Sequence, residues 1–264
     1  MGDFKPRKGR KTMTEAKTYT VPVLFDDILH QAHTLIAGRT GSGKSVMLNG
    51  ILTTACKYGN YGMVLIDPKG VELSDYKELP NCIAYAVTGE ETVRALNQTI
   101  TIMHQRFKEM ANAKQKEYTG NPIIVVIDEM VNLFLGDYGK TIERQIQDLT
   151  ALARASKISV IACTQAPNRA ILKATTVLNF TGRVALSCQT AIESRQIINV
   201  KGAEDLPMYG HCLYLRPGHK VEEWVVRMTS EEDKQQAIQD CAEINRGSFT
   251  NDGLLVKIFK RFIA

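Results

Sequence analysis

No stretch of this chain reaches the ~18 consecutive apolar residues that suggest a membrane-crossing helix. The N-terminus is basic but lacks the apolar centre of a secretory signal. The expectation is a cytoplasmic protein with no direct membrane insertion. The six cysteines (Cys56, Cys82, Cys163, Cys188, Cys212 and Cys241) contain no C-x-x-C pair, and the five histidines have no metal-ligand spacing. Both observations argue against a disulfide scaffold or a zinc site and for reduced thiols. Internal repeats and low-complexity segments are missing. So is an Asn-Lys-x-Asp motif, which would read a guanine base.

What remains is ordinary globular material, 264 residues with 44% apolar and 23% charged. That is enough for one large α/β domain. The net charge of +5 is unevenly spread. Lys5, Arg7, Lys8, Arg10, Lys11 and Lys17 make residues 1–20 basic, and Lys257, Lys260 and Arg261 do the same for the C-terminal end. The body between is slightly acidic. A basic tail suits nucleic acid or an acidic partner, and equally a solvated tail. Residues 1–20 read as a flexible basic segment, 21–228 as the main domain and 229–264 as a short helical and basic extension.

Short apolar runs alternate with amphipathic stretches from about Val21 to Val226, which predicts a mostly parallel sheet flanked by helices. Strands are expected at 33–37, 62–66, 83–86, 123–127, 159–163, 182–187, 211–215 and 222–227. Helices are expected after residue 45 and over 92–110, 141–155, 191–199 and 231–245. Val93, Leu96, Ile100, Met103, Phe107 and Met110 recur at three-and-four spacing, the mark of a core-facing stripe. The polar stretch 111–121 reads as a loop.

Chemistry enters at residues 38–45, Gly-Arg-Thr-Gly-Ser-Gly-Lys-Ser, a complete P-loop. Gly38, Gly41 and Gly43 free the backbone to turn so that successive N–H groups face one phosphate. Arg39, Thr40, Ser42 and Val46 complete the expected nucleotide contacts. Lys44 supplies charge for the β- and γ-phosphates, and Ser45 is placed to ligate Mg²⁺. A strand-like run precedes the loop. Met47, Leu48, Ile51, Leu52 and Ala55 follow it with the spacing of a helix whose N-terminus favours anions.

An acidic partner follows at residues 123–129, five apolar residues and then Asp128-Glu129. Asp128 is the expected metal ligand and Glu129 the group that polarises the attacking water. Asp67, at the end of Leu65-Ile66, opens an Asp-x-x-Gly that alone resembles a GTPase switch. Without a guanine-reading motif, ATP is the expected nucleotide. Thr164-Gln165 ends another strand, where Gln165 is positioned to sense the γ-phosphate.

These blocks together resemble the motor domain of the FtsK/SpoIIIE family of DNA translocases, over about residues 29–228. The resemblance rests on the P-loop, Ile66-Asp67-Pro68-Lys69-Gly70-Val71-Glu72-Leu73-Ser74 and Val126-Ile127-Asp128-Glu129. It continues through Ala153-Arg154-Ala155, Cys163-Thr164-Gln165-Ala166-Pro167, Gly182-Arg183-Val184-Ala185, Glu193-Ser194-Arg195-Gln196-Ile197-Ile198 and Gly202-Ala203-Glu204-Asp205-Leu206.

It implies a RecA-like ATPase core of the additional-strand type. Such cores work as a ring, a pentamer or hexamer, in which an arginine from the next subunit completes each site. Arg154 is the first candidate, with Arg183 and Arg195 as alternatives. It also implies sequence-independent contact with double-stranded DNA. Lys114-Gln115-Lys116 and the loop from Asn168-Arg169 to Lys173 are the candidate contacts.

Three departures are expected to matter. Ala166 stands where the family usually has arginine, a membrane anchor is missing, and there is no room after Met228 for a winged-helix module. They favour a motor that docks on something else, such as the portal of a viral packaging machine. The alternatives are DNA transfer by a plasmid or mobile element, and protein export.

Overall fold

The computed structural model describes residues 21–165, 172–226 and 228–251. In chain order the elements are α1 (Val21–His30), β1 (His33–Ala37), α2 (Lys44–Tyr58), β2 (Gly62–Ile66), β3 (Cys82–Ala86) and α3 (Gly89–Asn112). Then come β4 (Ile123–Ile127), α4 (Met130–Leu135), α5 (Gly139–Leu152), β5 (Ile158–Thr164), α6 (Ala174–Asn179) and β6 (Gly182–Ala185). The chain continues with α7 (Ala191–Ile198), β7 (His211–Leu215), β8 (Glu222–Val225) and α8 (Glu231–Asn251).

One eight-stranded sheet, in the order β3-β2-β4-β5-β1-β6-β7-β8, organises these elements. The pairs from β3 through β6 are parallel, and the last two pairs are antiparallel. The β5 strand lies between β1, which leads into the P-loop, and β4, which carries the acids. All five residues of β1, β2 and β4 are buried, as expected for parallel strands covered on both faces. Alternation divides the core: Ile36, Leu65 and Val126 face α1, α2 and α8, while Leu35, Ile66 and Ile127 face α3, α4 and α5.

The expected strands all form, with shifts of one or two residues at several ends. The expected Arg227 end lies outside the described residues. In α3, Leu96, Met103 and Met110 are buried, with Val93, Ile100 and Phe107 partly buried. This helix starts earlier than its apolar stripe because Thr88 and Glu91 form a capping box. Three short helices escape the periodicity: α1, α4 and α6, of ten, six and six residues. The α8 helix, expected in the 229–264 extension, packs on the main core, where Ala237 and Cys241 are buried with residues of α2. All six cysteines are free. Among the described residues no helix is long and apolar enough to cross a membrane.

Candidate nucleotide site

The C-terminal ends of parallel strands gather the polar groups. This is where open α/β sheets bind ligands. The P-loop leaves β1, Asp67 ends the run of β2, Asp128 and Glu129 follow β4, and Gln165 follows β5. One cavity of about 300 Å³ is lined by Thr40, Gly41, Gly43, Lys44, Ser45 and Val46, and on its far side by Lys69, Glu72, Asp128, Glu129, Gln165 and Tyr209.

The loop is held against both neighbouring strand ends. Gly38 N–H donates to Thr164 O at 3.2 Å, and Arg39 N–H donates to Ser187 O at 3.0 Å. Gly41 and Gly43 take φ of 76° and 103°, the left-handed region that glycine favours. Gly38 needs glycine for a different reason, close approach. A Cβ there would lie 2.7 Å from both Leu186 Cβ and Ser42 Oγ.

Lys44 Nζ donates to the carbonyls of Gly38 (2.7 Å) and Arg39 (3.1 Å). Burial lowers its pKa, and the Glu129 and Asp128 carboxylates work against that. Gly38 and Arg39 thus brace the lysine from beneath. The Arg39 guanidinium turns away to the sulfur of Met208. Val46 is 36% exposed at the cavity wall. Ser42 borders a second, mainly apolar cavity of about 340 Å³, whose walls include Met47, Leu186, Val226 and Tyr209.

Glu129 is only 2% exposed. Its carboxylate accepts the Gln165 N–H at 3.0 Å and the Val131 N–H at 3.4 Å, the latter capping α4. Burial raises its pKa, opposed first by Lys44 and then by these donors. The Gln165 side chain accepts a hydrogen bond from Thr40 Oγ1 at 3.0 Å, linking the end of β5 to the P-loop.

Asp128 is 4% exposed, and its Oδ2 has no hydrogen-bond partner. The nearest cation is Lys69, with Nζ 3.8 Å from that oxygen. Burial raises the pKa of Asp128, with Lys69 pulling it down. An unmet buried carboxylate oxygen lining the same cavity as Ser45 offers, with that hydroxyl, hard-oxygen donors of the kind Mg²⁺ takes. Ser45 and Asp128 therefore fit the ion.

Asp67 plays no such part. Its carboxylate accepts the N–H groups of Lys69, Gly70 and Leu73 at 3.2, 3.0 and 2.9 Å, so it builds a turn. Lys69, Glu72 and Tyr209 are cavity residues given no role from the sequence. The Asp-Pro-Lys-Gly block was the available signal for Lys69 and Glu72.

The other expected site residues lie elsewhere. Arg154 is exposed in a short 3-10 turn (Ala153–Ser156) that precedes β5, whereas Gln165 follows that strand. The strand's seven residues separate them by roughly 20 Å. Arg154 neighbours His33, whose pKa is lowered to about 4 by burial and then by that charge. Arg154 cannot reach its own chain's cavity. Arg183 is buried and donates to Phe180 O and Ile197 O at 3.0 and 3.3 Å, a structural role that removes it as an alternative. Arg195 is exposed on α7.

Lys114 and Lys116 are exposed in the loop before β4, at the same sheet end as Arg154. Lys173 pairs with Glu143 at 3.0 Å. Ala166, Asn168 and Arg169 lie outside the described residues, as do both basic tails.

Comparison with known proteins agrees with this geometry. Residues 8–121 match the model of the FtsK/SpoIIIE family. The DNA translocase FtsK of Campylobacter jejuni is 33% identical over 233 residues, covering 81% of this chain and 24% of its own length. The chain thus spans about a quarter of that relative.

Among solved structures, the pCW3 conjugation coupling protein TcpA, in a monomer form with ATPgS, is similar with a TM-score of 0.70 and 22% identity. The match covers 81% of this chain and 66% of that one. The cytoplasmic domain of the type VII secretion ATPase EccC of Thermomonospora curvata gives 0.67 and 18%, covering 80% and 28%. The genome packaging NTPase B204 of Sulfolobus turreted icosahedral virus 2 gives 0.52 and 15%, covering 76% and 98%. At these identities the likeness to solved structures is one of fold. With its RecA-like sheet and P-loop cavity, the chain is similar to the FtsK/SpoIIIE family, whose model residues 8–121 match.

Proposed function

We propose that this chain hydrolyses ATP, with Mg²⁺, to drive movement along double-stranded DNA as a homo-oligomeric ring, a pentamer or hexamer. The observation that carries the chemistry is the shared cavity: Lys44 and Ser45 on one wall, Asp128 and Glu129 on the other. Lys44 and the P-loop N–H groups bind the β- and γ-phosphates, and the base enters the apolar cavity beside Tyr209. Ser45 and Asp128 would hold Mg²⁺, which would supply positive charge against the phosphates.

Glu129 takes a proton from the attacking water. Its two N–H donors fix the carboxylate, and its raised pKa makes it a stronger base than an ordinary glutamate. Gln165, bonded to both Thr40 and Glu129, senses whether the γ-phosphate is present. Arg154, too far from its own cavity, supplies the trans charge to a neighbour's site.

Glu129→Gln tests this core: hydrolysis should fall roughly 10²- to 10⁴-fold with nucleotide binding retained. Hydrolysis at the wild-type rate would remove Glu129 from the mechanism. Arg154→Ala should bind nucleotide normally and lose about 10³-fold in assembled-ring turnover. An unchanged rate would return the trans role to Arg195.

Duplex DNA should stimulate hydrolysis through its backbone, independently of sequence and less so at high salt. No stimulation would favour protein export. Genome packaging on a viral portal is the role we put first, and DNA transfer the second, favoured by the shared fold with a conjugation coupling protein. Specific capture by a portal protein or by a relaxase complex separates the two.

A further inference from the structure

The turn after β2 uses a lysine where any residue would serve the backbone. Asp67 accepts the Lys69 and Gly70 N–H groups, Gly70 N–H also donates to Asp67 O at 2.9 Å, and Gly70 takes φ of 71°. Pro68 fixes its own φ. Only the backbone of Lys69 is needed. Its side chain instead reaches into the nucleotide cavity, 48% exposed, with Nζ 3.8 Å from Asp128 Oδ2.

That contact is too long to be a hydrogen bond, and Asp128 Oδ2 remains without a donor. With Lys69 half in solvent and the contact this long, the pair contributes little to stability. It does change the charge of the cavity. Lys44 and Lys69 face Glu72, Asp128 and Glu129 there, so without Lys69 three carboxylates oppose a single cation.

Resting on the nucleotide-binding role proposed above, we propose that Lys69 is the cation that keeps the cavity open to nucleotide before the metal arrives. It stands beside Asp128 as a loose, displaceable charge and turns to the phosphates when a divalent ion takes that carboxylate. The wild-type site therefore binds ATP or ADP without metal, whereas a site lacking Lys69 binds them much more weakly unless metal is present. The two lysines differ in attachment. Lys44 is clamped by two carbonyls at 2.7 and 3.1 Å, while Lys69 has one long contact and is the one able to move.

The test compares the Kd of a fluorescent ADP in Mg²⁺ and in EDTA for wild type, Lys69→Ala, Lys69→Gln and Lys69→Arg. Wild type should bind in both conditions. For the Ala and Gln variants the ratio of the EDTA Kd to the Mg²⁺ Kd should rise at least about tenfold, with Arg close to wild type. Because the turn uses only the backbone of residue 69, the melting temperatures should match.

A ratio in Lys69→Ala and Lys69→Gln within about twofold of wild type overturns the proposal. So does a wild-type protein that binds only with Mg²⁺. A wild-type protein that binds no nucleotide under either condition overturns the nucleotide reading itself, a separate and distinguishable failure.

Discussion

Two aspartates end neighbouring parallel strands at the same depth, and the sheet treats them in opposite ways. Asp67, after β2, is fully buried and accepts three backbone N–H groups and the Tyr85 hydroxyl. Asp128, after β4, is 4% exposed and has a carboxylate oxygen with no donor. The first has spent its hydrogen-bonding capacity on the fold. The second holds its capacity in reserve, against the rule that buried polar groups are satisfied. Exceptions to that rule mark places where a ligand completes the structure, and here the exception lies beside a P-loop.

The largest expected effect falls on the satisfied member. Asp67→Ala orphans the Lys69 and Leu73 N–H groups, while Gly70 N–H keeps the Asp67 backbone carbonyl. At about 1–3 kcal/mol each, the loss should come to roughly 4 kcal/mol. Thermal unfolding should shift down by about 10 °C. An unchanged melting temperature would erase the contrast.

Next, Asp128→Asn should reduce hydrolysis by about 100-fold or more while leaving the ligand-free protein at least as stable as wild type. A loss of stability like that of Asp67→Ala would mean that both aspartates are structural.

A smaller effect concerns pH. The folded protein raises the pKa of Asp128 by burial. The folded state therefore binds that proton more tightly than the unfolded chain, and the charged form is a cost to stability at neutral pH. That cost is relieved as pH falls through the raised value. Wild-type, ligand-free protein should gain urea resistance over that window relative to Asp128→Asn. A difference that stays constant with pH would contradict the burial effect. Smallest of all, Tyr85→Phe removes a 3.4 Å bond to Asp67 and should cost about 0.5 kcal/mol by urea unfolding. A cost of several kcal/mol would show that the turn depends on Tyr85 as well.

Much of this site is legible in the chain because its parts are local. The P-loop is contiguous, and Asp128-Glu129 follow a five-residue apolar strand that only a sheet buried on both faces would bury completely. The sequence also marks the core stripe of α3. It misses α4 and α6, whose six residues are too few to show a period, and α1, a short amphipathic run before the first strand. It leaves Asp67 without a role and Arg183 as one of several arginines, because an acid after a strand or an arginine in a motif looks the same whether its polar atoms end on backbone groups or in a cavity.

By itself the sequence determined the alternation of strand and helix, the phosphate-binding loop and the two acids, since all follow from residue types at fixed spacing along a covalent chain. Only the tertiary structure decided which strand ends become neighbours. The order β2-β4-β5-β1 sets Lys69, Asp128, Gln165 and Lys44 around one cavity and leaves Arg154 at the opposite end of the strands. That outcome depends on long-range strand pairing and on where each buried polar atom finds a partner, neither of which is encoded in spacing.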